Sequence, residues 1–444
     1  MADRKAFRAS ILHCLGDPGE KDDPAAVEYF ADGLLLVEDG HVAALGEAKE
    51  MMSGLADDFE ITDYSGNLLV PGFIDCHVHF SQVDIIGSYG EQLLDWLTRY
   101  AYPAEEAFAD VDHANTVAEF FVDELLRNGT TTALVFPTVH PHSVDAIFSA
   151  ADKRGMRLLS GKVLMDENCP EALRDDPESA YADSRQLIEK WHGRNRLGYA
   201  ITPRFAVTSS EAQLKAAGKL AAEFPHVHVH THLAENLAEV EMIAKRFPWS
   251  RSYFDVYEQL GLARERSVFA HCLHLDDTDR GQMAKLGAAM AFCPTSNLFL
   301  GSGLFDLRVA RDCGIRTGVG TDVGGGTSLN MLRTLSEAYK VLHLQGQSMP
   351  GFRALYLATL GAADALYLDD KIGNFVAGKE ADFVVLDYAA SSMTRRRLSH
   401  GQDIAEKLFA LITLGDDRSI AATHVMANRT NDIARRAKPD AATS

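Results

Sequence analysis

The sequence predicts an α/β fold: a (β/α)8 TIM-like barrel with a small β-sandwich domain formed by the N- and C-terminal segments. Three observations lead there. Through the middle of the chain, short β-rich runs alternate with longer stretches of helical period. Both ends carry clustered short strands instead. The 444 residues also exceed what one hydrophobic core usually organises, which suits a large barrel with an accessory module. The implied division assigns 1–70 and 373–444 to the accessory domain and 71–372 to the barrel, with a tail that frays from about Lys438.

Near the N-terminus, Asp32–Val37 and His41–Leu45 flank Glu38-Asp39-Gly40, and Asp-Gly is a strong hairpin signal. Eight barrel strands follow: Gly72–His79, Thr130–Phe136, Arg157–Leu164, Leu197–Phe205, His226–Leu233, Ser267–Leu273, Ala288–Pro294 and Arg316–Val323. Between them, Ala118, Phe121, Val122 and Leu125 share one helical face, and Gly129 stands where a C-terminal cap would. Val144, Ile147, Phe148 and Ala151 form another such face, ended by Gly155. A doubly wound open sheet is the competing arrangement, but its G-x-G-x-x-G turn after the first strand is absent. At the far end, Asp382–Leu386 and Ala422–Ala427 read as strands that pair with the N-terminal ones.

Composition narrows the function. Lys plus Arg number 43 against 63 Asp plus Glu, a formal net charge of −20, which disfavours an extended nucleic-acid interface. The six cysteines form no C-x-x-C pair, so the chain reads as a cytoplasmic protein with reduced thiols. Met1–Leu15 lacks a signal peptide's apolar run, and no stretch approaches the ~20 apolar residues of a membrane span. A soluble enzyme acting on a small molecule, without a membrane partner, fits these features.

The chemistry is sought at the C-terminal strand ends, where barrel active sites sit. The first strand ends in His77-Val78-His79, and strand alternation puts both imidazoles on one face. Alone, such a pair is weak. The fifth strand carries His226, His228, His230 and His232 at period two; His232 is nearest the mouth, and the other three are expected to be structural. The sixth strand brings His271, and the eighth brings Asp322 before Gly324-Gly325-Gly326. Nitrogen donors with one carboxylate suit Zn2+ with a water completing the shell, and iron(II) fits the same donor types. A bound divalent ion makes hydroxide available near neutral pH. Asp322 is placed to take a proton, His271 to hold the water or polarise the reacting centre, and Glu235, three residues past His232, to shuttle protons. That is equipment for hydrolytic deamination of a cyclic amidine. The fourth strand has no lysine to bridge a second metal, and the H-x-E…P-C-x-x-C pattern is missing, so one metal and a barrel-type deaminase are expected.

Pro71-Gly72-Phe73-Ile74-Asp75-Cys76-His77-Val78-His79 resembles the strand-one motif of the amidohydrolase superfamily. The chain is more specifically similar to the guanine deaminases of that superfamily, over about residues 30 to 430. The similarity is carried by Gln82, Leu93-Leu94-Asp95-Trp96-Leu97-Thr98, Tyr102-Pro103-Ala104-Glu105, Thr202-Pro203-Arg204-Phe205, His232-Leu233-Ala234-Glu235-Asn236, Cys293-Pro294-Thr295-Ser296-Asn297-Leu298 and Leu414-Gly415-Asp416-Asp417-Arg418. The resemblance implies conversion of guanine to xanthine with release of ammonia, one zinc per subunit, and a homodimer. It implies metal ligands at His77, His79, His232 and Asp322. It also implies a purine site formed by His79, Gln82, Arg204, Phe205, His232, Glu235 and Asp322, with Glu235 and Asp322 moving protons. Gln offers one donor and one acceptor group and Arg only donors, which suits the N1–H and O6 edge of guanine. Ser88-Tyr89-Gly90-Glu91 and Phe80 depart from the family pattern and bear on fine substrate preference. Deamination of 8-oxoguanine, a pterin or a triazine, or a non-catalytic scaffold, are the alternatives.

Overall fold

The computed structural model describes residues 3–401 and 403–430; the fraying expected from about Lys438 lies outside them. The N-terminal strands are β1 (Arg4–Cys14), β2 (Val27–Glu38), β3 (His41–Glu47) and β4 (Glu60–Pro71). The β2–β3 connection is the expected hairpin: Glu38 pairs with His41, and Asp39 and Gly40 take φ of 49° and 79°.

The barrel strands are β5 (Phe73–His79), β6 (Thr130–Phe136), β7 (Arg157–Ser160), β8 (Val163–Leu164), β9 (Leu197–Pro203), β10 (His228–Leu233), β11 (Ser267–His271), β12 (Ala289–Phe292) and β13 (Arg316–Val319). All pair in parallel, in the order β5-β6-β7-β9-β10-β11-β12-β13, and β8 pairs with β9 as the second half of the third stave. That stave breaks at Gly161, where a Cβ would lie 1.7 Å from the carbonyl oxygen of Ala200. Backbone bonds from Asp322 to His77 and from His79 to Val323, both 2.9 Å, join the two ends of the sheet.

The C-terminal strands are β14 (Phe383–Leu386), β15 (Ile420–Val425) and β16 (Asn428–Arg429). They extend the N-terminal sheet into one seven-stranded sheet, β16-β15-β14-β4-β1-β2-β3, separate from the barrel and antiparallel except between β1 and β4. Phe7, Ile11, Leu35, Phe383 and Val385 form its own core, while Leu12, Val70 and Val384 join the barrel's. The expected helical faces are buried: Ala118, Phe121, Val122 and Leu125 on Val111–Arg127, and Val144, Ile147, Phe148 and Ala151 on Pro141–Lys153. Among the described residues, no helix is long and apolar enough to cross a membrane.

Four barrel strands stop short of their expected ends: β9 at Pro203, β11 at His271, β12 at Phe292 and β13 at Val319. His271, the last residue of β11, Cys272 directly after it, and Asp322 beyond β13 have φ of 72°, 55° and 49°. Left-handed backbone ends an extended run, and for non-glycine residues it carries strain of the kind found at functional sites.

Candidate active site

Four expected ligands meet at the mouth of the barrel. The Nε2 atom of His79 lies 3.3 Å from Nε2 of His77 and 3.2 Å from Nε2 of His232. Asp322 Oδ1 lies 3.2 Å from His77 Nε2 and 3.4 Å from His79 Nε2. Tetrahedral geometry with Zn–N bonds of about 2.0–2.1 Å puts neighbouring donors about 3.3–3.4 Å apart, so the cluster has the dimensions of one zinc shell. β5 and β13 come this close because Gly320 has no side chain: a Cβ there would stand 2.9 Å from Cβ and 3.0 Å from the carbonyl oxygen of His77.

The donors also carry the right charge state. His232 Nδ1 lies 2.7 Å from the carbonyl oxygen of Arg204, which fixes the hydrogen on Nδ1 and leaves Nε2 a bare lone pair. Burial holds His77 and His232 below the ordinary histidine range and pushes His79 down to about 3, so these rings are neutral at pH 7. Neutral imidazoles converging with a carboxylate is an arrangement that a divalent cation satisfies.

Beside the cluster, Glu235 is buried and its Oε1 accepts from the Ser302 hydroxyl at 2.9 Å. His271 Nε2 lies 3.4 Å from Glu235 Oε2 and 3.8 Å from Asp322 Oδ2, while its Nδ1 meets Asn297 Oδ1 at 2.8 Å. His271 thus stands between the two carboxyl groups, with its orientation set by Asn297. The helix Leu237–Arg246 begins at Asn236 with a capping box, and the Glu239 carboxylate accepts from the backbone N–H groups of Glu235 and Asn236 at 3.1 and 3.2 Å. That cap holds the backbone from which Glu235 projects.

A cavity opens onto these groups. Gln82, Arg204, Phe205, Glu235, His271 and Asp322 line it together with His79 and His232, and Leu93, Trp96 and Leu97 form an apolar wall. His77 lies beneath, fully buried. Gln82 sits on the turn Phe80–Ile85 directly after β5, and Arg204 directly after β9. Phe80 itself points into the core against Phe108 and Phe121, and Tyr89 is exposed, so those two departures from the family pattern lie outside the cavity.

Several contributors were not singled out from the sequence. His230, expected to be merely structural, contacts the other nitrogen of His77: His230 Nε2 lies 2.7 Å from His77 Nδ1. Its place two residues before His232 on the same strand face was the available signal. Glu105 accepts from both Gln82 and Arg204. Asn297 lies on the helix Pro294–Phe299 after β12, inside a stretch that carried the family resemblance but with no role assigned, and Ser302 just beyond it was not marked in the sequence. The second buried group of possible ligands, His77, His271, Cys293 and Asp322, reuses members of the first.

A family profile described as the amidohydrolase family matches residues 68–429. The guanine deaminase of Escherichia coli (strain K12) is 48% identical over 422 residues, covering 95% of this chain and 96% of its own. The solved E. coli guanine deaminase superposes with a TM-score of 0.94 at 47% identity, covering 96% of this chain and 99% of that one. The guanine deaminase of C. acetobutylicum, solved with guanine in its active site, superposes with a TM-score of 0.86 at 28% identity, over 96% of this chain and 99% of that one.

Proposed function

This chain belongs to the amidohydrolase family, and from that premise we propose that it is a zinc-dependent guanine deaminase, releasing ammonia and xanthine in purine breakdown. The observation that carries the proposal is the sharing of one cavity: Gln82 and Arg204, suited to a lactam edge, face the same space as the histidine–aspartate cluster and Glu235. His77, His79, His232 and Asp322 would hold the metal, which when bound supplies acidified water at neutral pH.

The chain's own residues do the rest. Arg204 donates to O6 and Gln82 accepts from N1–H, which aligns C2 with the cluster. Phe205 packs beside the ring, and Leu93, Trp96 and Leu97 keep bulk water out. Asp322 takes the proton that the attacking water loses, and His271 holds the incoming oxygen. Glu235 gives its proton to the adjacent ring nitrogen, takes up the second proton from the newly added hydroxyl and passes it to the departing amine, and the proton held by Asp322 then restores Glu235. A C2–O bond forms, the C2–N bond breaks, and ammonia leaves.

The test is ammonia release across guanine, 8-oxoguanine, adenine, cytosine and isoxanthopterin, alongside metal analysis of the purified protein. Guanine should be the preferred substrate, with one zinc per chain. Turnover of another ring with none of guanine would reject the substrate and keep the fold; a metal-free, inactive protein would favour a scaffold.

A further inference from the structure

Glu105 lies on the helix Tyr102–Glu106, is completely buried, and is hydrogen-bonded to Gln82 and Arg204, two residues that line the cavity. A carboxylate offers acceptors only. Three hydrogen bonds reach it: Arg204 Nη1 donates to both oxygens, at 2.8 and 2.7 Å, and Gln82 Nε2 donates at 2.9 Å. These bonds settle which way the Gln82 amide faces. Turned over, Gln82 would set its own oxygen against the carboxylate and its NH2 against the N–H of Gly324. As it stands, Gln82 Oε1 accepts from Gly324 N at 3.3 Å and keeps a second lone pair. Arg204 is committed through Nη1, whereas its Nε and Nη2 have no hydrogen bond among the described residues. The cavity therefore offers an acceptor from Gln82 together with donors from Arg204.

We propose that Glu105 is the positioning residue that fixes this hydrogen-bond polarity, and so restricts the site to amino-heterocycles with a ring N–H beside a carbonyl. The inference rests on the deaminase reading and names its specificity device. Guanine presents N1–H and O6. 2-Aminopurine carries the same amino group on the same carbon but has a bare N1 and no O6. Bound here, it would set a lone pair against Gln82 Oε1 and leave the Arg204 donors unpaired, and sites of this kind reject such analogues strongly. Glutamine at 105 both donates and accepts, so Gln82 would be free to turn over and the discrimination would fall.

The experiment compares the wild type, E105Q, E105D, Q82A and E105Q/Q82A on guanine and 2-aminopurine. For E105Q the zinc content should stay at the wild-type level. Its kcat/KM for guanine should fall by about 10-fold or more, mainly through KM, and its preference for guanine over 2-aminopurine by at least a similar factor. E105D, which keeps the carboxylate, should retain more of that preference. Adding Q82A to E105Q should cost much less than Q82A costs alone, because the two residues act as one device. Equal losses on both substrates, or strictly additive effects of E105Q and Q82A, would overturn the proposal. If E105Q does not fold, Q82L with Glu105 intact replaces it, and an unchanged preference in Q82L is then the overturning result. Wild-type enzyme that turns over neither ring rejects the deaminase reading instead; the Glu105–Gln82 coupling is then read from a thermal-unfolding cycle without substrate, where additivity sinks the positioning role.

Discussion

Glu235 is a carboxylic acid held where its charge is disfavoured. Burial first, and the nearby Asp322 charge second, push it up to about 8 against the lowering effect of the Ser302 hydrogen bond. With its pKa above neutral, it carries a proton at pH 7 in the metal-free chain, which is the form a general acid needs. E235Q keeps the shape and a hydrogen bond to Ser302 but has no proton to exchange. It should bind zinc normally and lose about 10²-fold or more in kcat; near-normal turnover in a steady-state assay would remove Glu235 from the proton path. This residue was legible in the sequence, as were His77, His79, His232 and Asp322, because each follows or ends a strand whose direction the apolar pattern gives away. Glu105 and Asn297 stood only inside stretches that carried the family resemblance, with no role assigned, and Ser302 was not marked at all, since these residues sit on two helices and a loop whose approach to the mouth depends on packing.

Between elements, the site depends on how closely β5 and β13 approach. The eight staves could be counted from the sequence, but their ends could not, since positive φ at His271 and Asp322 leaves no trace in a hydrophobic pattern. The same is true of the close contact at Gly320. A Cβ at this position meets both the side chain and the backbone of His77, neither of which is a flexible end able to swing away. G320A should therefore part the two strands. Overpacking of this kind costs about 1–3 kcal/mol, and here it also moves His77 away from His79 and Asp322. Zinc per chain after dialysis and the thermal midpoint should both fall. A fully loaded variant with an unchanged midpoint would show that the strands have room to spare.

At the scale of the whole molecule, two bodies meet along a buried ionic seam. Arg157, at the start of β7, and Arg196, just before β9, come from the end of the barrel opposite the mouth. Both pair with Glu380, and Arg196 also pairs with Asp382, just ahead of β14 of the terminal sheet. The joining of both chain ends into one sheet could be read from strand texture, but this seam could not, because its partners lie 184 to 223 residues apart. Asp382 Oδ1 accepts from the backbone of Met426, so its other oxygen relies on Arg196. Arg196→Met removes that cation and leaves a largely buried carboxylate without it. Breaking one side of a buried pair costs about 3–5 kcal/mol, more than a matched apolar replacement of both partners would. Denaturant unfolding should show a loss of that order, while kcat and KM for guanine stay near wild type because the seam lies at the far end of the barrel from Glu235. If the variant lost activity in proportion to stability under fully folded conditions, the terminal sheet would be acting on the site rather than only bracing the barrel beneath it.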